Sequence, residues 1–257
     1  MRMKRTVIGV MVGLLYNITI AESVLAERFV GSSTKYRTLR FFKASDAAVQ
    51  RVLPAGWTSS PAKGALESAN FGIVIFDRLA AEGPDAKPVL SQSKTATAFV
   101  LAKNEQAGAA GAVVVFAFAS TPEDVPGPYS VNMLSKVDMA KSFRMGETGS
   151  VMAEETWDFS TEGGDQLHFS MTFERGAGRR SHTETRVYSA AKPDFYRIYK
   201  ADLVTDLVRG ATGDAGRVKK IEFRASGPHL SPVFNGTERM IGITSDPAYY
   251  RQIFLPD

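Results

Sequence analysis

Two lysines in the middle of the chain are the residues best suited to covalent chemistry. Lys136 and Lys141 lie in a segment whose apolar members are Met133, Leu134, Val137, Met139 and Phe143. A lysine that is desolvated near another cation has a lowered pKa, and its neutral amine attacks a ketone carbonyl. The segment therefore predicts a Schiff-base nucleophile at Lys141 or Lys136, with a pair of solvated surface lysines as the alternative.

A cluster of carboxylates surrounds one tryptophan further along the chain. Glu154, Glu155 and Asp158 flank Trp157, and in a strand Glu154 and Asp158 share a face because side chains alternate. Paired carboxylates beside an aromatic ring suit glycosidic acid–base chemistry. The same pattern is typical of an exposed strand edge, and this is the interpretation we favour.

The three histidines do not predict a metal site. If residues 167–189 form a hairpin, His168 and His182 are about 13 Å apart, too far for one zinc ion. His229 lies in a Gly-Pro-His-Leu-Ser-Pro loop, either at the mouth of a cavity or in a simple turn. The sequence contains no cysteine, nucleophile elbow, phosphate-binding loop, His-Glu-x-x-His helix or dinucleotide fingerprint. It therefore indicates no metal and no cofactor.

The charge and composition describe an ordinary globular chain. Hydrophobic residues make up 44% and charged residues 23% of the 257 residues, which is enough to build a substantial core. The net charge of +4 falls to +2 without residues 1–26, which hold Arg2, Lys4, Arg5 and Glu22. This excess is too small to indicate a nucleic-acid partner.

Residues 1–26 have the pattern of a signal peptide. The basic start Met1–Arg5 precedes the apolar run Thr6–Leu15, and small residues at Ala21 and Ala26 suit cleavage. The run is shorter than the roughly 20 apolar residues of a membrane span. We therefore predict a periplasmic or secreted protein with no stable membrane insertion after cleavage. A buried N-terminal strand or an uncleaved anchor is the alternative.

Most of the remaining chain has the pattern of β-strands. Phe71–Phe76, Thr97–Leu101, Ala112–Phe118, Val218–Ala225 and Arg239–Thr244 are rich in β-branched, aromatic and other apolar residues. About eight to ten strands at this spacing predict a mainly β fold, as an antiparallel barrel or a sandwich with a few short helices. In the absence of a long linker we expect a single domain over 27–257, the alternative being a split near 120–127.

Two short helices are predicted from capping patterns. Ser45 and Asp46 suit the start of a helix that ends before Pro54. Asp246 followed by Pro247 suits the start of a second helix at the end of the chain.

A hairpin is the strongest local prediction. Apolar and polar residues alternate over 167–174, a glycine-containing turn follows at 176–178, and residues 183–189 return. Matching apolar and charged faces places Leu167 opposite Val187.

The order of these elements resembles that of the acetoacetate decarboxylase-like superfamily. The resemblance is carried by the stretches Tyr36–Phe42, Leu53–Trp57, Phe76–Arg78, Tyr129–Lys141 and Gly227–Pro232. It spans most of the chain after residue 26, and it implies a double, lipocalin-like β-cone around an internal cavity.

The same resemblance implies a reacting lysine that forms a Schiff base with a β-keto acid. In the family this lysine lies in a Pro-Lys segment, with a neighbouring cation that lowers its pKa. Here Ser135 precedes Lys136 and Ala140 precedes Lys141, so the Pro-Lys motif is not found.

Together these observations predict an exported protein that binds a small apolar or keto-acid-like molecule in an internal cavity. The residues expected to line or close the cavity are Trp57, Phe116, Phe118, Tyr129, Trp157 and His229. The alternative is a lysine-dependent decarboxylase or related lyase that acts on a β-keto acid through a Schiff base. A third hypothesis is a structural protein of the cell envelope, with neither cavity nor ligand.

Overall fold

The computed structural model describes residues 27–147 and 149–256. Its strands, in chain order, are β1 (Glu27–Lys43), β2 (Thr58–Ser59), β3 (Phe71–Glu82), β4 (Lys94–Asn104), β5 (Ala109–Ala119), β6 (Asn132–Leu134), β7 (Lys136–Met145), β8 (Val151–Ser160), β9 (Gln166–Glu174), β10 (Arg179–Ser189), β11 (Tyr196–Arg209), β12 (Val218–Ser226) and β13 (Arg239–Pro256). The helix α1 (Asp46–Val52) and two 3₁₀ turns, Gly64–Leu66 and Pro122–Asp124, complete the described elements. The predicted mainly β class with a few short helices is confirmed.

The larger sheet contains nine strands and curls back on itself. Its order is β2-β4-β3-β1-β13-β11-β10-β5-β6, and an additional pairing of β4 with β5 brings the two sides together. The pairing of β10 with β5 is parallel and covers only three residues on each strand, 187–189 and 112–114. The strands therefore run part of the way round a ring without forming a true barrel, which corrects the barrel alternative of the prediction.

The smaller sheet is antiparallel, with the order β12-β9-β8-β7. Large apolar side chains on one face of β8 and β9, Trp157, Phe159, Leu167 and Phe169, are at most 2% exposed. They pack against the outer face of the larger sheet, where Phe118 lies 5.6 Å from Phe159 between ring centroids. We call this buried layer the intersheet core.

The five strand segments predicted from composition all lie inside observed strands, namely β3, β4, β5, β12 and β13. The first predicted helix is α1. Ser45 stands at its N-cap position but makes no side-chain capping hydrogen bond, and the helix docks on the core through Ala48 and Val49. Burial of this apolar face holds a helix too short to persist alone.

Two local predictions are wrong. The hairpin of residues 167–189 does not form, because β9 pairs with β8 and β12 whereas β10 pairs with β11 and β5. The turn at 176–178 carries the chain from one sheet to the other. The C-terminal helix is replaced by β13, in which Asp246 and Pro247 fall where the pairing with β1 and β11 shifts register.

The predicted signal peptide of residues 1–26 lies outside the described residues. Among the residues that the structure describes, no helix has the length and apolar character needed to cross a membrane.

Candidate functional site

A cavity of about 1020 Å³ lies on the concave side of the larger sheet. Strand β1 crosses its wall, and the alternation of side chains along a strand decides which residues face it. Lys35, Arg37, Leu39 and Phe41 line the cavity. The intervening Arg40 points the other way, into the intersheet core, where it meets residues of the smaller sheet.

Lys35 is the buried amine of this cavity. Only 5% of the residue is exposed, and its Nζ lies 4.4 Å from the centroid of the Phe76 ring. Within 27–147 and 149–256, no carboxylate oxygen comes within 4.0 Å of this Nζ and no hydrogen bond to it is formed. Burial lowers its pKa well below the ordinary lysine value, the positive charges of Arg251 and Arg78 lower it further, and the carboxylate of Asp124 opposes the change.

Two of the cations near Lys35, Arg78 on the neighbouring strand β3 and Arg37 on β1 itself, have carboxylate partners. Arg78 of β3 is the cross-strand partner of Lys35, and its guanidinium donates to Asp124 at 3.0 Å. Arg37 is neutralised in the same way by Asp246. Arg78 and Arg37 therefore each form an ion pair with a carboxylate, whereas Lys35 forms none with the described residues.

Arg251 of β13 is the second cavity cation that has no carboxylate in the described part of the chain. Its guanidinium carbon lies 4.3 Å from the Tyr199 ring centroid and 5.3 Å from that of Phe76, and its Nε donates to Ser33 at 3.2 Å. Arg197 also lines the cavity, and its buried Nε has no hydrogen-bond partner among the residues that the structure describes. The lining holds five basic residues (Lys35, Arg37, Arg78, Arg197 and Arg251) against three acidic ones, Glu82, Glu123 and Asp124. This excess of positive charge suits an anionic ligand.

A pair of tyrosines adds hydroxyl groups to the same wall. The hydroxyls of Tyr129 and Tyr199 are 2.6 Å apart, and both residues line the cavity. Burial, together with the neighbouring Tyr199, raises the pKa of Tyr129 well above its ordinary value. The Tyr129 hydroxyl therefore stays protonated and can serve as a hydrogen-bond donor.

Neither of the predicted lysines lines this cavity. The Lys141 Nζ forms an ion pair with Asp77 at 3.0 Å and lies 3.7 Å from the Tyr36 ring, between the two sheets. Burial lowers the pKa of Lys141, and Asp77 opposes the change. Lys136 is exposed on β7. Their predicted catalytic role stays a prediction, and the structure offers Lys35 as a third candidate.

Of the predicted ligand-binding residues, Tyr129 lines the cavity. The other aromatic residues, Trp57, Phe116, Phe118 and Trp157, are buried in the intersheet core. His229 is exposed on its loop and shares a 2.8 Å hydrogen bond with Asp165. Packing between the sheets thus accounts for the aromatic residues that composition marked as candidates.

The carboxylate cluster divides between two environments. Glu154 and Asp158 are both exposed on β8, where Asp158 lies 2.7 Å from His168. Glu155 points the other way and is 3% exposed. Its two oxygens accept hydrogen bonds from Arg40 at 3.1 Å and Thr38 at 3.2 Å. This buried pair joins the two sheets and does not face the cavity.

Sequence reasoning missed Lys35 and Arg251. Lys35, Leu39 and Phe41 are separated by even numbers of residues, so in a strand the lysine lies on the same face as the two apolar residues. That pattern was the available signal. Nothing local indicated that Arg251, more than two hundred residues later, would share the Phe76 ring with it.

Two solved structures share this architecture. An acetoacetate decarboxylase-like enzyme from Sphingomonas wittichii RW1 is 11% identical, with a TM-score of 0.54 over 90% of this chain and 92% of that chain. The enduracididine biosynthesis enzyme MppR, with HEPES buffer bound, is 11% identical, with a TM-score of 0.53 over 92% of this chain and 89% of that chain. The sequence matches no family model and no curated protein. The resemblance to acetoacetate decarboxylase-like proteins is therefore confirmed at the level of the fold.

Proposed function

We propose that this protein is a lysine-dependent enzyme that acts on a keto acid in the cavity, with Lys35 as the nucleophile. The observation that carries the proposal is a desolvated amine without a carboxylate partner on the wall of a large cavity. A buried lysine beside other cations is neutral over a wider pH range than an exposed lysine, and the neutral amine is the reactive form. The decarboxylase-like fold of the solved relatives agrees with this chemistry.

The reaction follows from the two charged features of the cavity. The excess of cations attracts the carboxylate of the substrate, and the amine of Lys35 adds to its ketone carbon. Loss of water then gives an iminium ion. In a β-keto acid the carbon–carbon bond to the carboxylate breaks, the electron pair moves to the iminium nitrogen, and carbon dioxide leaves. Protonation of the resulting enamine and addition of water release the ketone and restore the amine.

Lys35 is a better candidate than Lys141 because Lys141 is held in an ion pair and Lys35 is not. The ion pair between Lys141 and Asp77 favours the protonated ammonium form, which is not nucleophilic. In contrast, burial and the charges of Arg251 and Arg78 favour the neutral form of Lys35, and the opposing charge of Asp124 acts more weakly.

Borohydride trapping in the presence of acetoacetate tests the proposal. The expected result is a reduced adduct on Lys35, located by peptide mass spectrometry. An isopropyl adduct shows that carbon dioxide was lost before reduction, whereas an adduct that keeps the carboxylate shows imine formation alone. The Lys35→Met variant should give no adduct, and the Lys141→Met variant should give as much as the wild type.

Other outcomes have distinct meanings. An adduct that persists in Lys35→Met and disappears in Lys141→Met would return the nucleophile to the residue predicted from the sequence. If neither lysine is modified while acetoacetate binds, the protein is a binding module and the proposed enzyme activity is wrong.

A further inference from the structure

The cavity is larger than a short keto acid requires. Its volume of about 1020 Å³ stands at the upper end of the roughly 300–1,000 Å³ of common ligand pockets. Acetoacetate has only a few non-hydrogen atoms and leaves most of this space to water. A wall built for such a substrate alone would be polar, because it would face that water.

The wall of the cavity changes in character along β1. Lys35 and Arg37 are followed on the same face by Leu39 and Phe41. At 3.3 Å for each residue, the six positions from Lys35 to Phe41 span about 20 Å. A cationic end, at Lys35 and Arg37, is thus separated from an apolar end, at Leu39 and Phe41.

The neighbouring strands repeat the change in the same direction. On β3, Arg78 pairs with Lys35, and Val74 pairs with Leu39. On β4, the Phe99 ring lies against Phe41, with 6.1 Å between centroids. The apolar end therefore extends over three adjacent strands.

From this arrangement we infer that the cavity takes an amphipathic acid, in which an apolar tail follows the carboxylate and the carbonyl. The head binds at the cationic end, and the tail lies along Leu39, Phe41 and Val74. The inference rests on the proposed function for the ketone of the substrate. Binding of the tail does not require an imine.

Saturated carboxylic acids test the tail without any Schiff base, since they have no ketone. Titration calorimetry of the full chain with butanoate, hexanoate, octanoate and decanoate measures how affinity depends on tail length. Burial of each methylene should strengthen binding about fourfold until the apolar end is filled. Equal affinities across the series would overturn the inference.

A matched pair of substitutions locates the tail. Val74→Thr places a hydroxyl on the wall of the apolar end, whereas Val113→Thr makes the same isosteric change in the intersheet core. Val74→Thr should weaken decanoate binding about fivefold and leave butanoate unchanged, because the hydroxyl is desolvated only by the long tail. Val113→Thr should alter neither affinity. Equal effects of the two substitutions on decanoate would contradict the placement of the tail. If a substitution prevents folding, the wild-type acid series still decides the inference.

The failure of this inference is distinguishable from failure of the proposed function. Tail-length dependence without a borohydride adduct would support an amphipathic acid as ligand and reject the Schiff-base enzyme. Conversely, an adduct on Lys35 with acetoacetate, combined with equal affinity for all saturated acids, would keep the enzyme and reject the tail.

Discussion

Two buried cations on β1, Lys35 and Arg40, point in opposite directions and meet opposite electrostatic surroundings. Arg40 enters the intersheet core, where its guanidinium pairs with Glu155 and lies 3.3 Å from the centroid of the Phe169 ring. Lys35 enters the cavity, where the charges of Arg251 and Arg78 act on it more strongly than that of Asp124. Strand β1 thus carries a paired cation, Arg40, on one face and a buried amine without an ion pair in the described residues, Lys35, on the other.

The difference separates a structural charge from one available for chemistry. A buried ion that has a fixed partner and a further hydrogen bond serves the packing. Arg40 has both, since it pairs with Glu155 and donates to the Thr38 carbonyl at 3.3 Å. A buried ion without a partner destabilises the fold unless it loses its charge or gains a ligand. Lys35 is in this second situation, which is why we assign it, and not Arg40, to the reaction.

The largest expected loss of stability comes from breaking the buried ion pair between Arg40 and Glu155. Glu155→Gln keeps the shape of the side chain but leaves Arg40 buried without a counter-charge. We expect it to lower the free energy of unfolding by about 3–5 kcal/mol, measured by urea unfolding. The control is Glu154→Gln, on the exposed face of the same strand, which should leave stability unchanged. A loss for Glu155→Gln no greater than for its control would mean that the pair does not join the sheets.

A smaller loss of stability is expected from a substitution that crowds the apolar end of the cavity. A methyl group added at Gly72 would lie 2.2 Å from the Phe99 ring, so the ring must move. We expect Gly72→Ala to cost about 1–3 kcal/mol of stability, measured by urea unfolding, and to weaken decanoate binding. Gly163→Ala is the control, since its nearest neighbouring atom would be 3.7 Å away. Unchanged stability in Gly72→Ala would show that Phe99 adapts without cost.

Composition and periodicity were sufficient to predict the fold class and most strands, because both depend on local sequence. They were not sufficient to predict which strands pair. Residues 167–174 do alternate, but alternation specifies a buried face and leaves the partner open. The apolar face of β9, with Phe169 and Met171 almost fully buried, is covered by the larger sheet. Strand β10 is largely exposed and joins that larger sheet.

The candidate site was harder to predict because it depends on contacts between distant strands. The neighbours of Lys35 come from β3 and from β13, at the other end of the chain. The predicted capping role of Asp246 fails for the same reason. Its carboxylate accepts hydrogen bonds from Arg37 and from Thr205 of β11, so tertiary contacts replace the helix that its position next to Pro247 favours.

The pH dependence of stability tests whether the pKa of Lys35 is lowered in the folded protein. The pKa of Lys35 in the folded protein lies well below 10.5, so between the two values the unfolded chain binds more protons than the folded chain. Stability therefore rises with pH through this window, by about 1.4 kcal/mol for each pH unit. The measurement is the difference in the free energy of unfolding between wild type and Lys35→Met, from neutral pH to the limit of alkaline stability. This difference should shift in favour of the wild type as the pH rises. Lys136→Met, at an exposed position, is the control, and a wild-type curve parallel to that of Lys35→Met would contradict the lowered pKa.

The smallest effect is expected for an ion pair with better geometry than that of Arg40. Arg180 and Asp202 form two hydrogen bonds, at 2.6 and 3.1 Å, on the exposed surface of β10 and β11. Water solvates both groups when the pair is broken, and salt screens their attraction. We therefore expect Arg180→Ala to leave the melting temperature unchanged within error, at low and at high salt. A destabilisation comparable with that of Glu155→Gln would mean that contact geometry, and not burial, determines what a charged pair contributes to this fold.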